Sequence, residues 1–397
     1  MHVTEFANEL YSPVPQTSRV IAIIDGTYTY MPKSTNFRVL RQSYSIHKGR
    51  HLIKPVLIVA PNGWILNIQG PYFSDHQNND AAILENEFHH DVDRMRNWFQ
   101  EDDIIIVDRG YRDAIPLFEE LGIKWKMPAL LNRNERQLST EDANESRLVT
   151  NSRWVVEARN GHLRSIFKIF QHSVQIQQIP YIGDLYRIAG AVINRYHPII
   201  LMDGANIEMA QALLERRRQP NIVQARVEVK NLYTRNAQRW VRLNAGQIQD
   251  FPILTIQELK DLIFGIYQVK LAPSYVQDKL RREAEDEFQL EMLRGENRLP
   301  EPGFMRIRVF SRFRNATRHQ LWIAYVPTND EENEHMENES HILGYYCSCK
   351  SGARTVGTCA HVASVIWFLG YAQNEEHVKY PSNRLLETIQ DAGNRPR

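Results

Sequence analysis

Apolar residues fall in short, continuous, β-branched runs over the first third of the chain. Arg19 to Tyr30 reads Arg-Val-Ile-Ala-Ile-Ile-Asp-Gly-Thr-Tyr-Thr-Tyr, which predicts a buried strand. Lys54 to Ala60 is a second run. It meets a Pro-Asn-Gly turn and returns over Trp64 to Gln69, which predicts a hairpin. From Asp80 to Gln100 the period changes, with Ile83, Leu84, Phe88, Val92, Met95 and Trp98 recurring at helical spacing. Ile104 to Asp108 predicts a short strand, Ala114 to Leu121 a helix, Lys124 to Leu131 a further strand and Ser152 to Gln171 a long helix. Three strands, helix, strand, helix, strand and helix together predict an α/β sheet with helices on both faces.

Further along, a Pro-bounded segment from His197 to Asp203 precedes a helix over Asn206 to Arg218. Arg216 to Arg242 carries eight Lys/Arg against Glu228 alone, with Tyr233 and Trp240 interleaved. That composition fits a track for a nucleic-acid backbone and equally a solvated charged face. Thr255 to Leu293 reads as mostly helical, with a charged amphipathic end from Lys279 to Arg294, and Gly295 to Gly303 as a linker. Met305 to Phe313 and Gln320 to Val326 alternate like strands. Alternation puts Arg306 and Arg308 on one face of a second basic row that continues through Arg312, Arg314 and Arg318. Asn329 to Ser340 is acidic and low in complexity, a solvated loop.

Length and composition narrow the class. A chain of 397 residues, 43% hydrophobic and 24% charged, is long enough for two or three globular units. A net charge of +1 gives no bulk affinity for nucleic acid, so any such binding needs local patches. The start, Met-His-Val-Thr-Glu-Phe, is not a secretory signal, and the longest apolar run, Val362 to Ala372, is too short to span a bilayer. The expectation is an intracellular protein, nuclear or cytoplasmic with nuclear favoured, and no membrane partner.

All three cysteines lie in one window: Cys347-Ser-Cys349, then Cys359-Ala-His361. An odd count confined there argues for a reducing compartment and against a disulfide scaffold. Three thiols and an imidazole form a closed donor set for Zn²⁺. Cys347 and Cys349 sit two apart at the end of a strand, and Cys359 and His361 open an apolar helix. In such small units the metal supplies roughly 10–16 kcal/mol of apparent stabilisation. The Cys-x-Cys, Cys-x-His pattern resembles the SWIM zinc finger over about Met305 to Gln373. SWIM fingers bind DNA or protein, and the ligands do not say which.

Asp25 and Asp108 each end a strongly apolar strand, where a carboxylate is costly to bury. On neighbouring parallel strands both would emerge at one sheet end and bind a hard cation such as Mg²⁺. On the following helix Arg153, Glu157 and Arg164 lie within about 40° of one another. Ile24-Asp25-Gly26-Thr27, Val107-Asp108-Arg109-Gly110-Tyr111 and Arg153-x3-Glu157-x6-Arg164 together resemble the signatures of a PIF/Harbinger-type DDE transposase over about Arg19 to Phe170. The segment from Gly70 through Asp80 to Leu84 is similar to the family's stretch before its first helix. The resemblance implies an RNase H-like fold and phosphoryl transfer with Mg²⁺ or Mn²⁺ held by Asp25, Asp108 and Glu157. It also implies phosphate positioning by Arg153 and Arg164, with Arg109 a lesser candidate, DNA as partner, and a homo-oligomer. Two positions depart from the family: Thr150 stands where a tyrosine is common, and Arg164 where a lysine is. Asp25 lies so near Met1 that the family's N-terminal helix-turn-helix reader is expected to be missing.

Asp75 reads as a loop acid, Asp80 as a helix N-cap, and Asp203 as ending an apolar run. The expected fold is α/β: an RNase H-like mixed sheet with flanking helices, a helical middle and a small ββα-like zinc finger. The segments are 1–18 (lead-in), 19–175 (DDE domain), 176–300 (helical middle), 302–375 (zinc finger) and 376–397 (polar tail). Three functions stay open: an active metal-dependent DNA cleavage and strand-transfer enzyme, an inactive domesticated DNA-binding copy, and a zinc-finger adaptor for protein partners.

Overall fold

Seven strands of the first half, β1 (Ile21–Gly26) among them, form one sheet in a computed structural model. The model describes all residues except 1, 12–18, 91–94, 203, 235–239, 244–245, 247, 281–288, 294–302, 312–316, 329–340, 383–387 and 389–397. Asp203, Arg312, Arg314, the acidic loop from Asp330 to Glu339, most of the linker and most of the polar tail therefore lie outside the described residues. Two compact units divide the chain: Met1–Leu130 with Glu145–Arg216, and Leu131–Asn144 with Arg217–Arg397. Leu131–Asn144 packs with the unit that holds the cysteines.

In the first unit, β1 pairs antiparallel with β4 (Arg50–Val59), which pairs with β5 (Ile65–Tyr72) as the expected hairpin. On its other side β1 runs parallel to β6 (Ile104–Ile106), and β6 runs parallel to β7 (Lys124–Lys126). Strands β2 (Thr29–Tyr30) and β3 (Tyr44–Ser45) add to the outer half of β4. Helices α1 (Glu5–Tyr11), α2 (Phe37–Gln42), α3 (Asp80–His90), α4 (Ile115–Glu120), α5 (Thr140–Ile166), α6 (Ile182–Tyr196) and α7 (Ile207–Arg218) complete the element order. One core joins Ile24, Val56, Ile58, Phe88, Ile105, Val107 and Phe118, the inward positions of the strands and of α3 and α4.

Several elements differ from the sequence expectations. The lead-in holds α1, which buries Phe6, Leu10 and Tyr11. Of the stretch read as one helix, α3 is described over Asp80–His90 and a 3₁₀ turn over Met95–Trp98. Helix α5 begins twelve residues before Ser152 (140 against 152); its first turns are polar, yet Ala143, Leu148 and Val149 are buried. Helix α2 and strand β3 bury no side chain and so show no periodicity to read, while β2, which buries Thr29, falls at the end of the run read as one strand from Arg19 to Tyr30.

The second unit is an antiparallel sheet in the order β12-β11-β10-β9-β8. Its strands are β8 (Trp240–Leu243), β9 (Gln289–Leu293), β10 (Gly303–Phe310), β11 (Arg318–Tyr325) and β12 (Ile342–Cys347). Helices α8 (Ile222–Val229), α9 (Ile256–Ile263), α10 (Ile266–Leu280) and α11 (Ala360–Gly370) accompany it. Strand β9 corrects the helical reading of its five residues. Leu290 is buried and Met292 packs beside it, a period of two that the flanking charges mask.

Three arginines of the two basic rows are drawn into the fold, while Arg218, Lys230, Arg242 and Arg318 stay exposed. Arg306 is buried, pairs with Glu291 at 2.6 Å, donates to the Leu232 and Thr234 carbonyls and stacks on Trp240 at 4.1 Å. Arg308 shares Glu291 at 3.7 Å, and Arg226 lies over Phe304 at 4.3 Å. Tyr233 hydrogen-bonds the Tyr346 hydroxyl at 2.8 Å. The aromatic residues of that stretch therefore belong to the core and offer no face to a base.

Candidate functional site

The parallel pairing sets Ile21, Ala22 and Ile23 opposite Ile104, Ile105 and Ile106. Two residues further on, Asp25 and Asp108 emerge at the same end of adjacent strands. Asp108 turns its carboxylate back to accept from the Gly110 amide at 2.7 Å, capping the 3₁₀ turn Arg109–Ala114. Helix α5 lies against this end. Arg153 donates to Asp25 at 3.2 Å and reaches Glu157 at 3.9 Å, and Asn160 approaches Asp25 at 3.4 Å. Glu157 is held only loosely, with its side chain 63% exposed.

A fourth acid joins them. Asp80 is not the cap of α3, because Asn79 takes that role by accepting from the Ala82 amide at 2.9 Å. Asp80 instead pairs with Lys54 at 2.9 Å. A Cβ built on Gly110 would lie 2.8 Å from an Asp80 oxygen and 2.9 Å from an Asp108 oxygen. Only glycine fits between those carboxylates. Asp75 caps the turn His76–Asn78 and takes no part.

Electrostatics bind the group together. Burial pushes Asp25 up to about 7, with Asp108, Glu157 and Asp80 adding to the rise and Arg153 opposing it. Tyr111 is buried, its hydroxyl pushed well up by burial and by Asp80, Asp25 and Asp108, and it has no hydrogen-bond partner. An orphaned hydroxyl facing clustered carboxylates is the environment that a hydrated cation satisfies. Asp25, Asp108, Glu157 and Asp80 are hard oxygen donors that fit such an ion. Among the described residues the one group of donor atoms gathered tightly enough to stand out as a metal cluster is that of the cysteines.

The remaining basic candidates have other partners. Arg164 donates to the Thr27 hydroxyl at 2.9 Å and the Tyr28 carbonyl at 2.8 Å, and stacks on the Tyr28 ring. Arg109 donates to the Pro128 carbonyl at 3.3 Å. Reading the sequence takes Asp80 for a helix cap and misses Tyr111 and Asn160; for Asn160 the usable signal is its place three residues after Glu157 on the same helix face.

The second cluster is tighter. Cys347 ends β12, Cys349 follows in the turn, Cys359 precedes α11 and His361 sits in its first turn. Their ligand atoms all lie within 4.8 Å of one another and all four residues are buried. The His361 Nδ1 is 3.9 Å from the sulfurs of Cys347 and Cys359. Sulfurs around tetrahedral zinc stand about 3.8 Å apart, given Zn–S bonds of about 2.3 Å. Burial pushes the Cys347 thiol well up, so gathered thiolates here call for a cation. The turn is held from outside: Gln137 donates to the Cys347 and Cys349 carbonyls at 2.6 Å, and the Leu138 amide to Lys350 at 3.0 Å. Asn221 ties the Tyr345 and Ala353 carbonyls together, and Asn144 accepts from the amides of Thr355 and Val356.

Residues 24–194 match a family model described as DDE superfamily endonuclease. No curated protein and no solved structure matches the chain. The match supports a DDE transposase-type nuclease, and with it divalent-metal use and DNA as partner. The mixed sheet with flanking helices is consistent with such a nuclease. The Cys₃His cluster is compatible with a zinc finger. Among the described residues no helix is long and apolar enough to cross a membrane.

Proposed function

We propose that the chain cleaves and transfers DNA strands, using Mg²⁺ or Mn²⁺ at Asp25, Asp108 and Glu157. One observation carries this reading: Asp25 and Asp108 end adjacent parallel strands, with Arg153 and Glu157 of α5 against them, inside the matched region. The sheet order β5-β4-β1-β6-β7, with β1 between an antiparallel and a parallel neighbour, supports an RNase H-like fold. Bound there, divalent ions lower the pKa of an attacking water or hydroxyl and offset charge on the phosphate. Asp25 must shed its proton to serve as a ligand. Arg153, already between Asp25 and Glu157, is placed to turn a guanidinium toward a phosphate oxygen. Arg164 acts through the Thr27–Tyr28 turn and so supports the Asp25 loop.

The Cys₃His cluster fits a structural SWIM-type finger holding Zn²⁺ through three sulfurs and Nδ1. Its ligand set is closed, so its role is folding and partner contact and not catalysis. Nuclear residence and a homo-oligomer belong to this reading.

Nicking of supercoiled plasmid by purified protein with Mg²⁺ or Mn²⁺ tests it. Cleavage should appear with either ion and fall at least about a hundredfold in Asp108→Asn, zinc content unchanged. Cleavage equal in both proteins would sink the assignment. A second reading, a DNA-binding copy that no longer cuts, draws on Arg153 lying between the acids. Metal-independent DNA binding with no nicking in a folded, zinc-loaded sample would select it.

A further inference from the structure

From Gly26 to Ser74 the chain has no Asp or Glu and six Lys/Arg: Lys33, Arg38, Arg41, Lys48, Arg50 and Lys54. Among the described residues only Lys54 is paired with an acid, Asp80; the other five are exposed. They ride on the excursion between β1 and β4 that carries β2, α2 and β3. Helix α2 buries none of its side chains. Its neighbourhood instead presents large apolar groups to solvent: Phe37 is 79% exposed, Ile46 88% and Tyr44 44%. A segment that contributes so little to the core retains exposed aromatics only at a cost, unless a partner covers them.

The excursion is nevertheless firmly seated beside the acidic cluster. Asn36 caps α2 by accepting from the amides of Arg38 and Val39. Buried Ser43 bonds His51 Nδ1 at 3.0 Å, and its carbonyl accepts from the Ser74 hydroxyl at 2.6 Å. The Gln42 carbonyl accepts from the amides of Ser74 and Asp75, the chain that leads into Asp80. At its other root, Tyr28 follows Asp25 by three residues, its ring between Arg164 at 4.4 Å and Lys48 at 4.7 Å. Arg50 covers the Tyr30 ring at 4.0 Å. Cations thus lie against aromatic rings at the root of the excursion, next in the chain to Asp25.

We infer that the arm from Tyr28 to Arg50 binds single-stranded DNA, its cations on the phosphates and Phe37, Tyr44 and Ile46 against unstacked bases. Cations alone would suit a duplex, whose base faces are hidden. Exposed apolar groups among them suit a strand whose base faces are free. The inference rests on the nuclease reading only for the placement of that strand beside the acids.

Fluorescence anisotropy on the full chain tests it, with a labelled single strand, the same sequence as duplex, and poly-glutamate as competitor. The single strand should bind more tightly than the duplex. Arg38→Gln/Arg41→Gln/Lys48→Gln should weaken it at least about tenfold and flatten the log K against log salt slope by about two, at roughly 0.7 per phosphate. Phe37→Ala/Ile46→Ala should weaken it with the slope unchanged. These side chains are exposed, so thermal midpoints should match wild type. Unchanged binding in both variants, preference for duplex, or equal displacement by poly-glutamate would overturn the inference. The nicking assay separates the two ideas. Arm-dependent binding without nicking defeats only the nuclease reading; metal-dependent nicking with arm-independent binding defeats only the arm.

Discussion

At Asp25 two demands conflict, since a carboxylate buried beside Asp108, Glu157 and Asp80 holds its proton to about 7, yet a metal ligand must be ionised. The unfolded chain releases that proton near 3.8, so between there and about 7 the folded state binds more protons. Stability of the metal-free protein therefore falls as pH rises through this window and levels off above it, by roughly a few kcal/mol. Asp25→Asn removes the charge and should flatten the decline. Thermal melts from pH 4 to 8 check this, and Mg²⁺ or Mn²⁺ at pH 8 should raise the wild-type midpoint but not the variant's. A wild-type midpoint that climbs steadily over that range would contradict it. How far single residues can be read from sequence also shows here. Asp25 and Asp108 stand out because charge after an apolar run is costly to bury. Asp80 and Tyr111 do not, because what marks them is proximity across the fold. Arg306 looked like surface charge by alternation, but Glu291 and Trp240 draw it inside.

Among elements, the strands with continuous apolar runs were legible: β1, β4, β5 and β6 lie where the pattern put them, because burial on both faces demands such runs. The excursion holding α2 was silent, since exposed residues have no period. Helix α5 was legible only in its second half. The cysteine-bearing turn depended on chemistry more than on periodicity: residue type and spacing singled out the four residues whose donor atoms the fold brings together. What sequence did not show is the support. Gln137, Asn144 and Asn221 lie far from the cysteines in the chain and meet them only through hydrogen bonds to backbone. Gly352 is the tightest part of the turn: its amide donates to the Cys349 carbonyl and its carbonyl accepts from the Cys347 amide, both at 3.0 Å. A Cβ there would collide with the Cys347 carbonyl. Gly352→Ala should therefore loosen zinc at least about tenfold, the size of effect seen when groups supporting metal ligands are disturbed. Competition with a chromogenic zinc chelator measures it. Retention equal to wild type would mean that the turn relaxes without moving its ligands.

For the whole molecule, the decisive fact is that two compact units carry separate cores, one around Ile24, Val56 and Ile105, the other around Leu290, Met305, Ile323 and Val362. The cysteines belong to the second core, with His361 buried beside them, so the zinc proposed there would be a folding ligand, and its removal would withdraw roughly 10–16 kcal/mol from that unit. Few domains have a larger margin than that. Stripping zinc should unfold the second unit, and the loss should reach β8, α8 and Leu131–Asn144, well outside the segment from 302 to 375. The carboxylate unit has its own core and should keep its protection. Hydrogen exchange before and after chelation checks this, peptide by peptide, with zinc added back to establish reversal. Protection lost only near the cysteines would mean that the finger folds apart from the rest of its sheet. Protection lost equally across β1, β4 and β6 would mean that the two cores melt as one.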